Sequence, residues 1–139
     1  MERHKLVVMA DDDAEDCMLA EFALNQTLPG ALFCSVEDGE ELMAWLAQRA
    51  GKAPLPDLIV LDLNMPRVDG RQALVRIKSD PVYKHIPIVV LTTSGEKQDL
   101  EASVKAGAEK FFTKPVLIEE WKEIMKSLAP LVSGVPLPP

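Results

Sequence analysis

Five short runs of Val, Ile, Leu and Ala or Phe recur along the chain, separated by stretches long enough for helices, and no other feature restricts the fold as much. The runs are Leu6 to Ala10, Ala31 to Val36, Leu58 to Leu61, Ile86 to Leu91 and Lys110 to Thr113. The middle runs are nearly continuous rather than alternating, the pattern of strands covered on both faces. Ala14 to Thr27 is rich in good helix formers. Leu42, Trp45 and Leu46, closed by polar Arg49, mark a second helix, and Ala73, Leu74 and Ile77 a third. Glu96 to Ala106 is a weaker helix with little beyond Leu100 and Val104 to bury, and Gly107 just after it reads as its stop. Ile118, Trp121, Ile124, Met125 and Leu128 give the clearest apolar stripe. Gly51 to Pro56 is a loop, since its prolines cannot continue a helix. A strand–helix alternation repeated in this way predicts an α/β fold with a parallel sheet between two helical layers.

The 139 residues suit one domain, typically about 100–200 residues long. With 47% apolar and 27% charged residues the chain is not disordered as a whole. A net charge of −7 argues against binding a phosphate backbone, so no nucleic-acid partner is expected. Cys17 and Cys34 lack metal-ligand spacing and read as free thiols of a reducing compartment. No apolar run approaches a membrane span, and the charged start at Met1 to Lys5 is no secretory signal, so the cytoplasm is expected. Phosphate-binding glycine motifs are absent.

Polar residues follow the runs in an informative way. The first run ends in Asp11, Asp12 and Asp13, the third in Asp62, the fourth in Thr92, Thr93 and Ser94, and the fifth in Thr113, Lys114 and Pro115. Ligands of open parallel sheets bind outside the carboxyl ends of the strands, so these residues are expected to converge. Taken singly each has an ordinary explanation; Asp13, before Ala14, is best read as a helix N-cap. Together they assemble a chemistry. Carboxylates facing one another repel unless a hard divalent cation or an ammonium intervenes. Mg²⁺ suits the first role and Lys114 the second. A carboxylate so placed can accept a phosphoryl group, with metal, lysine and the Thr92 hydroxyl neutralising its oxygens.

These residues resemble the receiver domain of two-component response regulators, from residue 5 to 128. The resemblance rests on Val7 to Asp12, on Leu61 to Pro66 with Asp69 and Gly70, on Val90 to Ser94, and on Gly107 and Ala108 leading to Phe111, Phe112, Thr113, Lys114 and Pro115. It implies a flavodoxin-like (βα)5 three-layer sandwich with strand order 2-1-3-4-5. Asp62 would be the phosphoacceptor, supplied by a histidine kinase. Asp12 would bind Mg²⁺ directly and Asp11 through water, with Asp62 and the backbone carbonyl of Asn64 as further ligands. Lys114 would pair with the phosphoryl group across a cis peptide bond to Pro115. Thr92 and Phe111 would form the switch, by packing alone because Phe111 lacks a hydroxyl. Thr93 is bulkier than the residue often found there and is expected to affect phosphoryl lifetime.

The receiver is expected over 1–128, with no output domain, so that output is binding to a target or to the next carrier of a phosphorelay. The stretch from Gln48 to Pro56, the Leu-Thr-Thr-Ser sequence and Trp121 resemble the single-domain regulators that partner bacteriophytochrome-type kinases. Residues 129–139 form an apolar, proline-rich tail, read either as a loose terminus or as an arm crossing to a second subunit of a homodimer. Two rivals are a phosphohydrolase working through an aspartyl phosphate and a phosphorylation-independent pseudo-receiver scaffold. The contiguous acidic triplet and the lack of a capping segment argue against the first. The presence of every site position argues against the second.

Overall fold

Side chains of successive strand residues point to opposite faces of a sheet, and here both faces are covered. The computed structural model describes residues 4–133. Its elements are β1 (Leu6–Ala10), α1 (Ala14–Thr27), β2 (Leu32–Val36), α2 (Gly39–Arg49), β3 (Leu58–Leu61), α3 (Gly70–Ser79), β4 (Ile88–Thr92), α4 (Lys97–Lys105), β5 (Lys110–Thr113) and α5 (Ile118–Ser133). All neighbouring strands pair in parallel, in the order β2-β1-β3-β4-β5. The flavodoxin-like order is therefore the one expected.

Val8, Ala10, Ile59, Leu61, Ile88 and Val90 face one layer, where Leu42 and Leu46 of α2 and Ala73, Leu74 and Ile77 of α3 cover them. Val7, Met9, Leu58, Val60, Val89 and Leu91 face the other, against α1 and α5, whose Trp121, Met125 and Leu128 are buried. The central strands are thus buried at every position, which explains their unbroken apolar sequence. β4 starts two residues later than the apolar pattern suggests. Pro87 has no N–H for the ladder, although its carbonyl still accepts from Ile59 N at 3.0 Å.

Carboxylates cap the first three helices. Asp13 accepts from the backbone N–H of Glu15 and Asp16, Asp38 from that of Glu41, and Asp69 forms a capping box with Gln72. Glu96 makes no such bond to α4, whose buried set is Ser103 alone. Gly107 closes that region with a φ of +112°, favourable only for glycine.

The boundary expected at 128/129 falls inside α5, which continues to Ser133 with Pro130 within it. Proline costs a helix interior roughly 3 kcal/mol. The helix continues because Val132 is buried in the α1/α5 layer and Leu131 packs against it. The rest of the expected tail, 134–139, lies outside the described residues, and with it the dimer-arm reading of that segment.

Candidate functional site

The sheet order sets β1 beside β3 and β3 beside β4, so that residues just past their carboxyl ends meet. Asp62 N donates to the carbonyl of Ala10 at 3.0 Å, and Asp11 N to that of Val36 at 3.0 Å, fixing both aspartates at the rim. Lys114 is anchored by its own N–H, which donates to the Thr92 carbonyl at 2.7 Å. Its ammonium, on a side chain only 8% exposed, lies 2.7 Å from Asp11 Oδ2, 2.7 Å from Asp16 Oδ2 and 3.3 Å from Asp62 Oδ2. It donates hydrogen bonds to Asp16 and Asp62. The Asp11 contact is an ion pair without hydrogen-bond alignment, and among the described residues that buried oxygen has no hydrogen-bond partner.

Burial pushes the Asp11 carboxyl up to about 6; the nearby Lys114 and the N–H of Asp13 oppose the rise, and the charge of Asp62 adds to it. Burial works the other way on Lys114, but its contacts with Asp11 and Asp16 and the charges of Asp11 and Asp62 outweigh it and raise its pKa. The lysine is therefore a permanent cation.

Asp11, Asp12 and Asp62 each offer an oxygen, and these lie within 4.8 Å of one another. One carboxylate oxygen from each of three aspartates is the all-oxygen donor set that fits a hard divalent cation. A cleft of about 310 Å³ opens beside them, lined in part by Asp11, Asp12, Cys17, Phe33 and Glu37. Cys17 is inert there, its thiol pushed up to about 11 by burial.

Asn64 N donates to Asp62 Oδ1 at 3.2 Å, orienting the carboxylate. Thr92 is fully buried, and its hydroxyl oxygen accepts only long bonds, from Asn64 Nδ2 at 3.5 Å and Ser94 N at 3.4 Å. Phe111 is half-buried against the α2/α3 layer, opposite Val90 in the ladder, while Phe112 packs on the α1/α5 side. The expected cis bond before Pro115 is not found: no cis peptide occurs among the described residues. The Lys114 side chain reaches the carboxylates from a trans bond, which X–Pro favours by about 0.5–1 kcal/mol.

Sequence reasoning missed Asp16, Arg71 and Asp99. Asp16 is one of two acids in the first turn of α1, a place where an acid needs no further explanation. Arg71 of α3 grips Asp99 of α4 bidentately, Nε to Oδ1 and Nη2 to Oδ2, both 2.8 Å, and Ser94 Oγ donates to Asp99 Oδ2 at 2.6 Å. No spacing rule pairs residues so far apart. The Arg71 and then the Ser94 bond draw the Asp99 carboxyl down to about 2. A carboxyl lowered in the fold contributes stability above its ordinary pKa and loses it as pH falls toward 2. Asp99→Asn should therefore cost about 1 kcal/mol at pH 7, a modest figure because Arg71 is 43% exposed and solvent screens the pair. That gap between wild type and variant should close between about pH 4 and 2, as measured by urea unfolding across that range.

The chain matches the family model described as the response regulator receiver domain over residues 7–126. It is 34% identical over 133 residues to response regulator Rcp1 of Synechocystis, covering 94% of this chain and 86% of that protein. The crystal structure of the phosphorylated cyanobacterial phytochrome response regulator RcpA superposes with a TM-score of 0.86 at 35% identity, covering 97% of this chain and 98% of that one. The Mn²⁺-bound form of Rcp1 gives 0.83 at 32% identity, covering 97% and 99%.

Proposed function

Because the chain belongs to the response regulator receiver domain family, we propose that Asp62 is its phosphoacceptor, supplied by the phosphohistidine of a histidine kinase. One observation carries this reading: the Lys114 ammonium sits against Asp11 and Asp62 at a rim where three carboxylates can share a divalent cation. An oxygen of Asp62 attacks phosphorus; a P–O bond forms, and the P–N bond breaks with its electron pair leaving on the imidazole. Lys114 meets the charge on the phosphoryl oxygens, and Asn64 N–H holds the attacking carboxylate in place. Asp12 would hold Mg²⁺ directly and Asp11 through water, with Asp62 and the Asn64 carbonyl as further ligands. Bound there, Mg²⁺ supplies further neutralisation of the phosphoryl oxygens.

The Thr92 hydroxyl, held only by long bonds, turns toward the phosphoryl oxygens and vacates space that the Phe111 ring then fills. α4 is the element that responds, because it buries almost no apolar surface. The likeness to Rcp1, to the phytochrome response regulator RcpA and to a bacteriophytochrome response regulator supports a bacteriophytochrome-type kinase as donor. The encounter would take place in the cytoplasm. Output is a protein contact, either a target or the next phosphorelay carrier. The chain turns over no substrate beyond its own phosphorylation and dephosphorylation.

Incubation with a radiolabelled phosphohistidine donor tests this. With Mg²⁺ the chain should acquire one label that hydroxylamine releases, and chelation of the metal should prevent it. No label in the presence of Mg²⁺ overturns the reading, and continuous release of phosphate from phosphomonoesters would favour the hydrolase instead.

A further inference from the structure

The ammonium that should serve the phosphoryl group makes its shortest hydrogen bond elsewhere. Lys114 Nζ donates to Asp16 Oδ2 at 2.7 Å, against 3.3 Å to Asp62 Oδ2. Asp16 is not one of the three carboxylates able to share a cation. It stands in the first turn of α1, located by its own N–H, which donates to Asp13 Oδ1 at 3.2 Å. Its side chain is 20% exposed, so it reaches Lys114 from the solvent side of the cluster.

From this geometry we infer that Asp16 is a positioning residue that competes with the phosphoryl group for Lys114 and limits how strongly the phosphorylated state is held. The inference rests on the phosphoacceptor reading of Asp62. Before transfer, the ammonium is shared among three carboxylates. Afterwards the group on Asp62 carries more negative charge, and the lysine must turn toward it. Asp16 opposes that change twice: it retains a hydrogen bond the lysine would redirect, and its charge repels the phosphoryl oxygens. Both effects act on groups that are themselves buried, Lys114 and Asp62, so like charges a few ångströms apart interact more strongly there than in water. Asp16 also keeps the lysine extended over the site in the unphosphorylated protein, so that the ammonium is in reach when the donor arrives.

Beryllofluoride, which occupies the phosphoryl position, gives the test. Its affinity is measured by fluorine NMR titration at saturating Mg²⁺, and again at twice that Mg²⁺ to exclude a change in metal binding. Asp16→Asn should bind beryllofluoride about tenfold more tightly than wild type, and Asp16→Glu, which keeps the charge, should stay near wild type. A residue that merely supported the fold would give the opposite sign, because loosening the site weakens binding. Unchanged or weaker affinity in Asp16→Asn, beside normal wild-type binding, overturns the inference alone. Failure of the wild-type chain to bind beryllofluoride overturns the phosphoacceptor reading and the inference with it.

Discussion

The Asp62→Asn chain is expected to take up phosphoryl groups at least about 10³-fold more slowly than wild type while remaining folded. Asparagine preserves the shape of the side chain and an oxygen to accept the Asn64 N–H, the bond that orients this group. It removes the anionic oxygen that attacks phosphorus. The Lys114 ammonium is not stranded by the change, because Asp11 and Asp16 still lie 2.7 Å away. Removing a partner from a buried charge is otherwise strongly destabilising, by about 3–5 kcal/mol. Here one of several like charges disappears, and the charge of Asp62 is among the causes that raise the Asp11 carboxyl. The urea midpoint in metal-free buffer should therefore stay at or above the wild-type value. Label uptake at the wild-type rate would exclude Asp62 as acceptor, and a collapsed midpoint would show that it holds the fold rather than the chemistry.

Gly70→Ala should be the most damaging conservative change, costing about 3 kcal/mol and impairing phosphoryl uptake together with stability. Gly70 opens α3 immediately beneath the acceptor loop, and its N–H donates to the Leu63 carbonyl at 3.0 Å. A Cβ there would fall inside contact distance of the Asp62 carbonyl oxygen and 2.7 Å from Leu63 Cα. Both are backbone atoms and cannot swing aside as a flexible side chain would. Either the acceptor loop moves, displacing the Asp62 carboxylate from Lys114, or α3 moves and breaks the capping box of Asp69 and Gln72. Equilibrium unfolding and the labelling rate of the residual folded fraction separate these routes. A variant with wild-type stability would show that the loop tolerates displacement.

Much of this arrangement could be read from the chain because it depends on local periodicity. The five helices and five strands follow from apolar spacing, and Asp13 as a cap follows from its place before a run of helix formers. The convergence of Asp11, Asp12, Asp62, Thr92 and Lys114 follows from their shared position at strand ends. What escaped depends on contacts that no local pattern encodes. Asp16 meets Lys114 only because the long lysine side chain, starting just past β5 at the sheet edge, reaches back over the strand ends to the first turn of α1. Arg71 meets Asp99 only because α3 and α4 flank one groove. Pro130 misled for the reverse reason, since its local preference is overruled by burial of Val132. The cis bond before Pro115 is implied by the family resemblance alone, with no local pattern behind it, and no cis peptide occurs among the described residues.

Neighbouring phenyl rings on β5 point to opposite layers, Phe111 toward α2 and α3 and Phe112 toward α1 and α5. A turn of the Phe111 ring of the kind proposed would therefore disturb the α2/α3 wall and leave Phe112 and the α1/α5 wall in place. A donor docking on the quiet wall would meet the same surface before and after it has delivered its cargo, whereas a listener on the restless wall would meet two different ones.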